Sequence, residues 1–600
     1  MPKERKQIKD CYKWRLEDIF ATDQDWEEEF KQVQAKLADF PKYSGKLTDD
    51  KTILECLEAQ SDAEYHITRL YVYAYMRYFQ DTRVAIYQGL SNRAESLAVQ
   101  AATISSFVTP ELSALSDEKL KQLEEDPKFV NFSVVFKNIL KNKALILSKE
   151  EEKLISEFGL IAETPHTVYT MFNNADVKFK PVVVNGKEVE LSYGTYGPLI
   201  EGPDREVRKA AFESMFNAFK DHINFISANY DGNCKKDWVY AKIRKFNSSL
   251  DAALYAEDIP AVVYENLINA VTKGTKTLHR YMQYRAKELG LDDYNMWDMY
   301  VPLIPSLDVK YSYEKASAIV KDAIKVMGKE YSDIFNSAFT SGWIDVFENK
   351  GKRSGAYSWG CYGVHPYVHL NHDGTIGDMF TIAHEMGHAM HTYYSNATQC
   401  KEKASYKIFV AEIASTVNEV ILLKYLLKSA KGEMRKYLLN YYLNMFKSTI
   451  FRQTQFAEFE EIAHKAVEQG MPLTADYLCT EYEKLNRKYY GPALKKNDLV
   501  KYEWSRIPHF YTSFYVYKYA TGLTSAITIA NNILKYGEKY FAKYKQFLSA
   551  GSSLPPLEIL KLADVDLTSE EPFKKAMKEF TDTFNELVKS EWEKGIEQYA

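Results

Sequence analysis

Paired cysteines are missing from this sequence. The six it has, Cys11, Cys56, Cys234, Cys361, Cys400 and Cys479, are scattered with no CxxC spacing. That rules against a cysteine-ligated zinc site and a disulfide framework, and it suits reduced thiols in a cytosol. Long apolar runs are also lacking: no stretch approaches the about 18 uninterrupted apolar residues that mark a membrane span. The start, Met1-Pro2-Lys3-Glu4-Arg5-Lys6-Gln7, is charged with no apolar segment behind it, so a cytoplasmic location is expected over secretion. Excess charge of one sign is absent as well. A net charge of −5 over 600 residues favours neither nucleic acid nor an anionic membrane surface as partner. Oligomeric state has no signature here.

What is present is the composition of a soluble globular protein, 46% hydrophobic and 26% charged, with 45 tyrosines. The chain is too long for one ordinary core. Residues 1–110 read as helical: Asp23 is the expected cap of a helix burying Trp26, Phe30, Val33 and Leu37, stopped before Pro41. Two long amphipathic segments follow, the first crowded by Tyr71, Tyr73, Tyr75 and Tyr78, a stripe expected to be packing core. After Pro110 come shorter helices. The period changes at 177–193, where Val182-Val183-Val184 meets Asn185-Gly186, a type I′ hairpin signal. Helices resume at Pro203-Asp204-Arg205. These shifts suggest three parts: an N-terminal helical region (1–110), a segment with the hairpin (111–200), and one large helical unit (201–600) without repeat or low-complexity linker.

Inside that unit a second β-like interval begins at Tyr357, with a strand expected over Val364 to Leu370 and a turn at Asn371-His372-Asp373-Gly374. Thr375-Ile376-Gly377-Asp378 then forms a capping box that opens a helix. The helix carries His384-Glu385-Met386-Gly387-His388, an HExxH motif. Its histidines lie about 40° apart around the axis and one turn apart, so both imidazoles reach one metal ion and Glu385 addresses a water on it. The bland alternative is two half-buried histidines on a helix.

Catalytic zinc usually takes three protein ligands. His391 shares the helical face, but at about 10 Å along the axis from His384 it cannot reach the same ion. The HExxHxxGxxH pattern fails too, with His391 and Tyr394 at its glycine and last histidine. Glu412, among small and apolar residues on a following helix, needs a partner to be buried; zinc is one and a Lys or Arg the other. Glu419, two turns on, is placed to orient a ligand imidazole. Six of the twelve histidines fall between residues 365 and 391, and of these His372 is expected on the surface. Downstream, His509 is followed by Tyr511, Tyr515 and Tyr517, donors of the kind that steady an oxyanion, or ordinary packing in a tyrosine-rich chain.

Taken together, Gly351 to Tyr357, Ala383 to His391, Phe409 to Glu419, Phe456-Ala457-Glu458-Phe459-Glu460 and His509 to Gly522 resemble, in order and spacing, oligoendopeptidase F, a bacterial branch of the thimet oligopeptidase group of zinc peptidases. The resemblance covers most of the chain. It implies a mainly α fold, a large helical body enclosing a deep substrate channel, with a small β element beside the zinc helix. It implies one Zn2+ per chain on His384, His388 and Glu412, with Glu385 as general base and proton shuttle, and His509 and a tyrosine as transition-state donors. Tyr515 is the first choice for that tyrosine, then Tyr517, with Tyr511 weaker. Gly355, Ala356 and Tyr357 would face substrate, and the strand at Val364 to Leu370 would pair with a peptide main chain. The activity implied is cleavage of internal bonds in short peptides. Competing readings are a zinc carboxypeptidase or dipeptidyl carboxypeptidase, which needs a cation for the substrate's C-terminus, and a peptide-binding protein without chemistry, which the intact Glu385 argues against.

Overall fold

The computed structural model describes residues 2–304 and 309–597. It is mainly α-helical with two small sheets. The helices used below are α1 (Asp23–Asp39), α2 (Asp50–Gln80), α3 (Ala85–Ile104), α4 (Ile223–Ile243), α5 (Ile376–Thr398), α6 (Ile408–Ser429), α7 (Arg452–Glu468) and α8 (Tyr517–Tyr536). The strands are β1 (Val182–Val184), β2 (Lys187–Val189), β3 (Ile344–Asp345), β4 (Tyr357–Trp359) and β5 (Tyr367–His369). Among the described residues no helix is long and apolar enough to cross a membrane. The packing forms two compact units, each drawn from separated stretches: Met1–Ile146, Val309–Tyr425 and Ile529–Val565 in the first, Leu147–Asp308, Leu426–Thr528 and Asp566–Ala600 in the second.

In the first unit α1 buries Trp26, Phe30, Val33 and Leu37, as their spacing predicts. Its cap is Thr22 rather than Asp23: the Thr22 hydroxyl accepts the Asp25 N–H while the Asp25 carboxylate accepts the Thr22 N–H, a complete capping box. Asp23 instead accepts the Tyr73 hydroxyl at 2.7 Å. The tyrosine stripe of α2 therefore divides. Tyr73 is core, while Tyr71 and Tyr75 stack on each other at 4.4 Å and meet Trp359 of β4 edge-on.

The three-stranded sheet runs β3-β5-β4, with β5 parallel to β3 and antiparallel to β4. The strand expected over Val364 to Leu370 is shorter, Tyr367–His369, and does not alternate: all three residues are buried. Two facts explain this. Pro366 has no N–H for a ladder, and a central strand packed on both faces has no solvent side; Trp14 lies against Tyr367 and His369. Because β5 has partners on both sides, it cannot take up a peptide strand; the edges are β3 and β4. Asp345, ending β3, is buried against the Lys352 ammonium at 2.7 Å and the Arg5 guanidinium at 2.5 Å. Burial works against its charge, yet these two cations override it and hold the carboxyl at about 2.

The second unit contains the β1–β2 hairpin, turning at Asn185 (φ 52°) and Gly186 (φ 75°) as type I′ requires. Its core is aromatic, with Phe459 of α7 between Trp504 at 5.9 Å and Phe510 at 5.2 Å.

Candidate metal centre

Thr375 and Asp378 form the expected capping box, so α5 starts with its backbone donors satisfied and presents HExxH from its third turn. Alongside it, α6 comes unusually close. A Cβ on Gly387 would stand 2.5 Å from Ser415 Cα and 2.6 Å from the Ala414 carbonyl oxygen, so only glycine allows this approach. The buried Asn418 amide donates to the Ala383 carbonyl at 3.1 Å and fixes the register of the pair.

The crossing brings three side chains to one point. Glu412 Oε2 lies 3.4 Å from His384 Nε2 and 3.3 Å from His388 Nε2, and the three ligand atoms all fall within 4.8 Å of one another. A tetrahedral zinc with bonds of about 2.0–2.1 Å separates its ligand atoms by about 3.3–3.4 Å. The donor set thus fits the ion in chemistry and in spacing. Among the described residues it is the one such cluster of His, Cys, Asp and Glu. Glu419 Oε1 meets His384 Nδ1 at 2.5 Å. With Nδ1 held there, Nε2 faces the cluster, and its lone pair is available to a metal once that nitrogen gives up its proton.

Charge tells the same story. Burial disfavours a charged His384, but hydrogen bonds to Glu412 and Glu419 outweigh it and carry the imidazole up to about 10. Those from His384 and His388 hold Glu412 far below the usual carboxylate range. The cluster attracts positive charge where a zinc ion would bring it. Glu385 is buried and its Oε2 has no hydrogen-bond partner. Burial pushes its carboxyl up, against the pull of His384 and His388.

The other histidines of this stretch are engaged elsewhere in the protein. His391 is buried, stacked on Tyr406 at 3.8 Å and near Phe547, and burial holds it down at about 3. His369 faces the Arg353 carbonyl at 2.9 Å and stacks on Tyr357. His365 reaches Asp18 at 2.9 Å. His372, expected on the surface, is instead buried, with Nε2 3.2 Å from the Tyr311 carbonyl, because the turn that carries it folds back on that segment. Gly355 is exposed with φ 84°, its carbonyl accepting the Asn371 amide, while Ala356 and Tyr357 lead half-buried into edge strand β4.

In the second unit His509 is exposed in a short turn (Pro508–Tyr511). Tyr515 stacks beside it, centroids 6.3 Å apart, and Tyr519 meets both rings edge-on. Tyr511 and Tyr517 do not join them. Tyr511 is 6% exposed and stacks on Tyr169 at 4.3 Å; Tyr517 is 1% exposed and packs on Tyr264 at 5.2 Å. Both rings pack in the core of their unit, unlike Tyr515. Tyr519, which the sequence reading does not single out, follows Tyr515 at i+4, and that spacing was the signal for its place in the cluster.

The family model described as peptidase family M3 matches residues 199–579, and that described as oligopeptidase F matches residues 111–179. The chain belongs to peptidase family M3. Oligopeptidase PepF of Bacillus subtilis is 39% identical over 588 residues, covering 97% of this chain and 88% of its own. Group B oligopeptidase PepB of Streptococcus agalactiae is 39% identical, with 98% of each chain covered. The solved oligoendopeptidase-F from Enterococcus faecium is 35% identical with a TM-score of 0.74, over 95% of this chain and 99% of that one. A Chlamydophila abortus protein described as a peptidase is 32% identical with a TM-score of 0.93, over 98% and 100%. Membership of the M3 peptidases and the His384-His388-Glu412 cluster make this chain a zinc-dependent metallopeptidase of the oligoendopeptidase kind.

Proposed function

We propose that this M3 peptidase binds one zinc ion per chain on His384, His388 and Glu412 and hydrolyses internal bonds of short peptides with Glu385 as the proton carrier. The observation that carries the reading is the single Glu412 oxygen within 3.4 Å of both imidazole nitrogens. Zinc held there would act as a Lewis acid, polarising a carbonyl and bringing the pKa of a water near neutrality. Glu385, desolvated and with one oxygen unengaged, takes the proton of the attacking water and delivers it to the leaving amine. Glu419 keeps His384 in one tautomer throughout. By the family resemblance, His509 and Tyr515 would be hydrogen-bond donors to the developing oxyanion; the exposure of His509 and the ring stacked beside it support a donor role for the pair. The substrate main chain pairs with edge strand β4 beyond Gly355, in place of the strand expected from sequence.

Removal of metal with 1,10-phenanthroline is expected to abolish cleavage of an internally quenched peptide, and zinc to restore it; activity that survives removal refutes the reading. One observation favours a second possibility. The Arg353 guanidinium rests over the Phe79 ring at 4.2 Å, has no carboxylate partner among the described residues, and precedes β4. It is the kind of cation an exopeptidase needs. Amidating the substrate C-terminus separates the two: an endopeptidase still cuts, an exopeptidase stops.

A further inference from the structure

The block Phe456-Ala457-Glu458-Phe459-Glu460 lies on α7, where Phe456 and Phe459 face the aromatic core of the second unit. Glu460 is fully buried. A carboxyl in such a place is costly unless it is bonded or neutral. Its Oε1 accepts the backbone N–H of Phe514 at 2.9 Å, and its Oε2 has no hydrogen-bond partner. Phe514 has φ 58°, a left-handed conformation that a bulky residue keeps only where its surroundings impose it.

The surroundings do impose it. One turn along α7, His464 Nδ1 lies 2.8 Å from the Glu460 carbonyl and Nε2 lies 3.1 Å from Asp237 Oδ2 on α4. Both ring nitrogens face acceptors, so the ring is an imidazolium paired with the Asp237 carboxylate. Asp237 also accepts the Ser513 hydroxyl at 2.6 Å. Asn233, a turn earlier on α4, donates to Ser513 Oγ and to the Phe510 carbonyl. The Phe514 ring packs on His464 at 4.5 Å. Residues 510, 513 and 514 are thus tied to α4 and α7, and immediately outside them stand His509 and Tyr515.

We propose that Glu460, backed by His464 and Asp237, is a positioning residue: by holding the Phe514 peptide in its left-handed turn it sets Tyr515 beside His509. The inference rests on the reading of His509 and Tyr515 as oxyanion donors. Burial pushes the Glu460 carboxyl up to about 8, only partly opposed by the Phe514 N–H. Near pH 7 it is mostly neutral, and glutamine reproduces its acceptor.

The test combines steady-state kinetics on a quenched peptide with hydrogen exchange of the 507–516 segment by mass spectrometry. Glu460→Ala is expected to lower kcat by about 10- to 100-fold, the cost of a small misplacement, with KM changed less than about two-fold. Bound zinc stays unchanged and exchange in 507–516 rises. Glu460→Gln keeps most of kcat. In a Tyr515→Phe background Glu460→Ala adds less than about two-fold, because both act through the Tyr515 hydroxyl. Should Glu460→Ala fail to fold, Ser513→Ala, which removes one tie, is expected to raise exchange and lower kcat in the same direction. Full kcat in Glu460→Ala while Tyr515→Phe loses it, or losses of those two that multiply, overturns the proposal. If His509→Ala and Tyr515→Phe both keep wild-type kcat, the donor reading fails instead, and the exchange measurement decides alone: unchanged exchange in Glu460→Ala refutes the positioning role whatever His509 does.

Discussion

His391 and Glu412 show how far single residues were legible. Helix rise alone removed His391 from the metal, and the structure gives the reason it is there: it fills a stack between Tyr406 and Phe547. Glu412 could not be separated from an ordinary ion-pair partner by pattern, because what selects it is the crossing of two helices. Glu412→Gln is expected to lose most bound zinc in metal analysis. His391→Ala should retain zinc while losing on the order of 3 kcal/mol in denaturant unfolding, as for other large buried rings; the reverse pattern would reassign the third ligand. The tyrosines were illegible for another reason. Between Pro508 and Tyr517 the chain passes through a short turn and a left-handed Phe514, so no single period says which ring faces outward.

At the scale of elements, the capping box and the Asn-Gly hairpin were readable because each is a local bargain between neighbours in sequence. Strand β3 was not: two residues, Ile344 and Asp345, paired parallel to a strand more than twenty residues on, carry no periodicity. Helix packing sets the first element-scale test. Gly387→Ala places a methyl against the backbone of α6, so the helices must part; zinc affinity is expected to fall about 10- to 100-fold, the range typical of disturbed ligand support, with a lower Tm. Competition with a chromophoric chelator measures it, and an unchanged affinity would show that the crossing tolerates the shift. The second test concerns the end of β3. Asp345 titrates at about 2 when folded and near 3.9 unfolded. The stability it provides is complete above about pH 4 and is lost as pH falls through 2. Asp345→Asn should remove that acid-dependent component and, by leaving Lys352 and Arg5 without their anion, cost about 3–5 kcal/mol at neutral pH. Urea titrations at several pH values check both.

On the scale of the molecule, changes of period suggested parts at 1–110, 111–200 and 201–600, whereas compactness gathers distant stretches into each unit. Periodicity reports local structure; which stretches share a core depends on contacts far apart in sequence. One apolar cluster of the first unit joins Trp14, Trp26 and Tyr73 to Cys361 and Tyr367. Deleting residues 1–110 is therefore expected to uncover the sheet beside α5 and to yield protein that aggregates and holds no stoichiometric zinc, measured by size exclusion and metal analysis; a monodisperse zinc-loaded product would show the remainder to be self-sufficient. The same interleaving has a meaning in time. The ligands on α5 and α6 leave the ribosome well before Phe547, which backs His391 and follows Glu419 by roughly 130 residues. At about 5–20 residues per second that is a delay of about 6–26 s. During it the metal-binding helix pair is already made while its apolar back is still bare, so ion capture during synthesis competes with capture of that bare face by a chaperone.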